Sequence, residues 1–187
     1  MPNWSSNAIV ATSENESQLA DFVNKFYHNQ ENSTGDRGGC FQALVPMPEA
    51  LFGTTSPSNG PNWYDWHCDN WGTKWDVFYN DVTLHVDTPQ KAHFSFDTAW
   101  APPTTWLLTA SKQFPDVKFE LACSEQGNAF AGVQTIQNGE LLDETDVHVE
   151  FDHPDDCDED SDEYWVNATP CAEWQAHMDA YLVGMGG

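Results

Sequence analysis

After Lys118 the chain contains no lysine or arginine, yet 17 of its 30 acidic residues lie beyond that point. Carboxylates without counter-charges are costly to take out of water, so the apolar residues must supply the core and the acids must look outward. The density peaks between Glu140 and Glu163, where 13 of 24 residues are Asp or Glu. Within that stretch Glu144, Asp146, His148, Glu150 and Asp152 alternate with Thr145, Val147, Val149 and Phe151. A period of two predicts a strand with an apolar face that docks and an outward column of acids about 6.6 Å apart. Asp152–Glu163 then reads as an acidic loop.

The remaining composition is that of a folded domain. Of 187 residues 40% are hydrophobic and 13% aromatic, including 9 tryptophans, which outweighs a net charge of −24. The six basic residues are scattered, so the chain has no stripe for nucleic acid and no patch for an anionic membrane. The start MPNWSSNAIV lacks the pattern of a secretory signal, and no run has the length of a membrane span. Five cysteines, an odd number without a C-x-x-C pair, are expected to be reduced thiols in a cytoplasm.

Periodicity and breakers give the element order. A strand is predicted over Trp4–Thr12. Ser13 and Glu16 have the spacing of a capping box before a helix over Ser17–His28, with Leu19, Phe22, Val23 and Phe26 on one face. Phe41–Leu51 is expected to be a turn with at most one helical turn, and the first half of Trp63–Asp76 a helix. Strands follow over Asp76–Val86 and Lys91–Trp100, then a helix from Trp106 to Phe114 that Pro115 stops. Val117–Ser124 is a strand. Ala129–Gln137 and Leu141–Phe151 form a hairpin around Asn138-Gly139. A helix over Ala172–Val183 closes the chain. This is an α+β, ferredoxin-like order: an antiparallel sheet covered on one face by helices. The division expected is a ferredoxin-like core over residues 1–137. Residues 138–187 then add an acidic hairpin, acidic loop and C-terminal helix packed on the same domain.

Several segments carry a family likeness. Pro2–Asn7, the VPMPEAL of Val45–Leu51, Trp63–Trp66, Asn70–Asp76, Phe96–Pro103 and Phe114–Asp116 together resemble the YubB-type proteins encoded by phages and plasmids. The resemblance covers roughly residues 2–135. It implies a ferredoxin-like domain and a mobile-element origin, hence a bacterial host cytoplasm, and supplies no catalytic residues.

Three constellations compete for function. Trp63, Trp66, Trp71, Trp75 and Trp100 can form a stacking platform or pack beneath the helices; packing is expected, because net negative charge opposes a phosphate-bearing ligand. His148, Asp152, His153, Asp155, Asp156 and Cys157 are metal-ligand types without metal-site spacing, and the loop starting at Asp156 lacks the glycine of a calcium hand. No metal or other cofactor is expected. Asp65, His67 and Cys68 can be arranged as base and nucleophile, and Asp65 and His67 with nearby aromatics are the residues of the alternative reading, a small metal- or ligand-dependent enzyme, although no nucleophile, phosphate-loop or zinc-protease motif accompanies them. A virion or assembly protein is a further alternative.

The acidic segment is the constellation favoured by the sequence. It points to a non-enzymatic protein that imitates nucleic-acid charge and so occupies a basic nucleic-acid-binding host protein or immunity nuclease complex, as an anti-CRISPR or anti-restriction inhibitor would. The expected contacts are Glu144, Asp146, Glu150 and Asp152 on the strand. In the loop they are Asp155, Asp156, Asp158, Glu159, Asp160, Asp162 and Glu163.

Overall fold

The computed structural model describes residues 3–28, 38–57, 59–152 and 169–181. Six antiparallel strands form the main sheet: β1 (Trp4–Thr12), β2 (Thr83–Thr88), β3 (Lys91–Ala99), β4 (Lys118–Glu125), β5 (Phe130–Gln137) and β6 (Glu140–Val147). Their spatial order is β2-β3-β1-β4-β5-β6. The first four are the split βαβ pattern expected of a ferredoxin-like domain. The β5–β6 hairpin is added to the β4 edge. Asn138 and Gly139, at φ 49° and 80°, give its two-residue turn the left-handed backbone that strand twist favours.

Two helices close one face. Helix α1 (Glu16–Phe26) buries Leu19, Phe22, Val23 and Phe26, the residues at helical spacing in the sequence. Phe22 sits 4.9–5.5 Å, centroid to centroid, from Phe26, Phe94, Phe114 and Phe119. Helix α4 (Thr104–Ala110) inserts Trp106, whose indole N–H donates to the Phe41 carbonyl at 3.1 Å. The α1 cap differs from the expected box. Asn15 accepts from the Gln18 amide, while Ser13 accepts from the Asn15 amide and donates to the Asp116 carbonyl at 2.8 Å. Ser13 therefore ties the helix to the loop before β4.

The C-terminal helix, numbered α5 below (Ala172–Tyr181), packs on the opposite face. Met178, Tyr181 and Val133 cover Ala8 and Ala122, and the Trp174 indole N–H donates to Ser124 Oγ at 2.7 Å. His177 Nε2 donates to the Cys123 carbonyl at 3.0 Å. Small residues at positions 8 and 122 let the helix lie close to the sheet.

Residues 76–82 depart from the strand predicted there. Strand β2 starts only at Thr83, and Tyr79–Asp81 is a 3-10 turn. The cause is Asp76. Its carboxylate turns inward and accepts from the amides of Phe41, Gln42 and Val77 at 2.7, 2.9 and 2.8 Å. It thereby caps helix α2 (Cys40–Leu44), far away in sequence. A Cβ on Gly39 would lie 2.3 Å from that carboxylate, so only glycine fits. Burial pushes the Asp76 pKa up to about 6, the three amide bonds opposing the shift. Among the described residues no helix is long and apolar enough to cross a membrane.

Candidate functional site

Strand β6 is one of the two edge strands of the sheet, and Glu140, Asp143, Glu144 and Asp146 are all exposed on it. Glu144 lies opposite Gln134 and Asp146 opposite Gly132, so both acids leave the sheet on the same side. Gln134 links Glu144 to the fold, donating to it and accepting from Thr104 Oγ1 at 2.7 Å. Burial pushes the Cys123 thiol up to about 11, and the charges of Glu144 and Asp146 add to the shift.

The predicted column is shorter than its sequence pattern. Strand β6 ends at Val147, and Phe151–Asp152 forms a separate two-stranded ladder with Thr169–Pro170. The Cys171 amide takes the Glu150 carbonyl at 2.8 Å, and the His148 amide turns to Glu173. Glu150 and Asp152 thus leave the line of Glu144 and Asp146, because this stretch pairs with the lead-in to α5 instead of with β5. Glu150 bonds the exposed His148 ring at 2.9 Å, which raises the imidazole pKa. The expected apolar inner face is also thin: Thr145 is exposed, and Val147, Val149 and Phe151 are only half-buried. Nearer the turn Leu141 and Leu142 are 44% and 54% exposed, and a register shift opposite Thr135 and Ile136 interrupts the alternation. Lys112, remote in sequence, packs its alkyl chain against Gly139 at the turn. Asp155, Asp156, Asp158, Glu159, Asp160, Asp162 and Glu163 lie outside the described residues.

The alternative enzyme residues separate. Asp65 caps helix α3 (Trp63–Trp71) reciprocally with Asn62. Cys68 shares a hydrogen bond with Tyr64. His67 donates from Nδ1 to the Lys74 carbonyl at 2.8 Å and stacks on Trp71 at 3.9 Å. Burial lowers its pKa, favouring the neutral ring. Among the described residues no group of three or more His, Cys, Asp or Glu is placed to hold a metal ion. His153, Asp155, Asp156 and Cys157 lie outside those residues.

The aromatic block is where packing was expected and the structure divides. Trp71 is buried, with its N–H on the Val45 carbonyl at 2.9 Å, and Trp63 and Trp66 are partly buried. Trp75 and Trp100 are exposed; the Trp75 ring lies 5.8 Å from that of Trp4 on β1, and the Trp100 ring 6.4 Å from that of Tyr64. Lys74 sits above this group, its Nζ 4.5 Å from the Trp75 centroid, 5.0 Å from Trp100 and 5.9 Å from Tyr64. Beside it opens a groove of about 690 Å³, walled by Trp4, Trp75 and Phe78 and carrying Asp76, Asp81 and Asp97.

A buried polar network fixes this end of the sheet. The Asn7 amide donates to the carbonyl of Ser5 and to Thr98 Oγ1 at 2.7 and 2.8 Å. Thr98 donates to the Ala101 carbonyl, and Thr73 to that of Ala99. These bonds hold Trp100 at φ 70°, a conformation that costs a bulky residue about 1–3 kcal/mol. Segments 4–7, 73–76 and 96–100, remote in sequence, thus meet at one surface. The signal available in the sequence was the setting of the outer tryptophans, flanked by Lys74, Asp76, Asp97 and small polar residues.

Comparison with known proteins places this architecture. The family described as the ferredoxin-like domain in Api92-like protein matches residues 71–167, a span that includes the acidic hairpin. YubB, an uncharacterized protein of Escherichia coli (strain K12), is 28% identical over 99 residues, covering 53% of this chain and 68% of YubB. The crystal structure of the protein api92 from Yersinia pseudotuberculosis has a TM-score of 0.64 at 9% identity, covering 78% of this chain and 98% of that one. At such identity the likeness concerns the fold alone. The chain belongs to the family of Api92-like proteins with a ferredoxin-like domain.

Proposed function

We propose that this is a non-enzymatic binding protein of a phage or mobile element, whose acidic edge occupies the Lys/Arg groove of a nucleic-acid-binding host protein. Host-defence machinery, such as a CRISPR complex or a restriction enzyme, is the partner class this charge fits. The observation supporting the reading is the placement of four carboxylates on an edge strand, all exposed.

Magnitude says how much of the surface such imitation needs. Four acids on an eight-residue strand give about one charge per 7 Å, half the linear density of one DNA strand, which carries about one per 3.4 Å. Strand β6 alone is therefore too dilute, and the acids from Glu150 to Glu163 have to contribute. Association driven this way is steered over about 10 Å at 0.1 M salt and about 3 Å at 1 M.

The test is capture of partners from host lysate at both salt levels by the natural protein and by a form with the 140–163 acids changed to Gln and Asn. Partners retained at low salt by the natural protein alone, and released at high salt, are expected. The same partners recovered by both forms would refute the electrostatic reading.

A further inference from the structure

We propose that the groove beside β1 binds an organic cation through an alkylammonium group. Three observations carry this, none of them involving the acidic hairpin.

The first is composition and shape. A groove of about 690 Å³ has the size of small-ligand sites. Its walls are the rings of Trp4, Trp75 and Phe78, each more than a third exposed. Its polar groups include three carboxylates, and no Lys, Arg or His lines it. Aromatic faces and carboxylates together select positive charge and reject phosphates and carboxylic acids.

The second is a cation already seated on one of the groove's rings, that of Trp75. Lys74 holds its alkylammonium within 6 Å of the ring centroids of Trp75, Trp100 and Tyr64, the distance range of a cation–π contact. Lys74 is not among the groove-lining residues, so the groove itself is left for an external cation.

The third is preorganisation. Trp4 is anchored by the β1–β3 register opposite Ala99, and the Trp100 amide donates to the Asn3 carbonyl at 2.9 Å. Ser6 Oγ donates to Asp97 at 2.9 Å and so aims that carboxylate. Both oxygens of Asp76 are engaged with backbone amides, which leaves Asp81 and Asp97 as the exposed charges to meet the ligand.

Choline and spermidine are the probes, a quaternary monocation and a primary polyamine, with maltose as the neutral control. Binding is read by tryptophan fluorescence and calorimetry on the full chain. The proposal expects saturable one-site binding of at least one cation and none of maltose. Trp4→Ala and Asp97→Asn should each weaken it at least tenfold, with unchanged circular dichroism. A form with the 140–163 acids neutralised should bind with unchanged affinity, which separates the groove from general attraction to an acidic protein and from the partner-binding reading above. Choline binding would identify a quaternary-ammonium site, and spermidine alone a polyamine site. Maltose binding, equal affinity in both groove variants, loss on hairpin neutralisation, or no saturable binding of either cation would overturn the proposal.

Discussion

Asp76→Asn tests whether one buried carboxylate couples the fold to pH. The natural side chain accepts three amide hydrogen bonds and has its pKa raised to about 6 from 3.8. The folded state therefore holds this proton more tightly than the unfolded chain. The resulting stability is fully present below the unfolded pKa and is lost as pH rises through the folded one. A shift of that size corresponds to about 3 kcal/mol across the whole window. The sequence pI is about 4.1, so precipitation limits work near pH 4 and the titration is run from pH 5 to 7.5. Over that range the linkage relation leaves about 1.4 kcal/mol. Asparagine keeps one oxygen for the amides of Phe41 and Val77 but turns an NH₂ toward the Gln42 amide, a pH-independent cost of about 1–3 kcal/mol. Every other acidic residue is common to both proteins, so the general relief of charge repulsion cancels in the difference. Urea unfolding followed by tryptophan fluorescence gives that difference. The natural protein should lose about 1.4 kcal/mol relative to the variant between pH 5 and 7.5. A flat difference, or one of opposite sign, refutes the buried-carboxylate argument.

Two other substitutions probe the framework. Phe22→Ala removes a fully buried ring packed against four others and should cost about 3–5 kcal/mol in urea unfolding, with circular dichroism of the surviving fold unchanged. Gly132→Ala places a Cβ 2.7 Å from the Thr145 carbonyl across the β5–β6 ladder. It should destabilise the protein by about 1–3 kcal/mol and raise amide exchange in β6 before the other strands.

What the sequence made legible was whatever rests on local rules. Leu19, Phe22, Val23 and Phe26 show their helix by spacing, and Asn138-Gly139 shows its hairpin by turn chemistry. The segment from Asp76 to Val82 was not legible, because the side chain that bends it answers to amides of Phe41 and Gln42. The end of β6 was hidden for a similar reason: alternation continues past Val147, but the backbone of Glu150 is taken by Cys171. In the aromatic block, tertiary structure divides tryptophans that look alike in sequence. Trp71 faces the Val45 carbonyl inside, while Trp75 meets Trp4 outside. Residue spacing does not encode that meeting, since it depends on β1 pairing with β3.

The position of β6 also bears on how copies of this protein treat one another. An outermost strand offers a row of backbone donors and acceptors that a second copy can extend into a continuous sheet. Two such strands side by side would crowd the Glu140, Asp143, Glu144 and Asp146 carboxylates of both copies along one seam. At low ionic strength that repulsion acts as a gatekeeper against edge-to-edge assembly. Screening it removes the guard while Leu141 and Leu142 remain exposed on the same strand. Salt high enough to strip a basic partner from the acidic edge is therefore also the condition under which the edge becomes sticky toward itself.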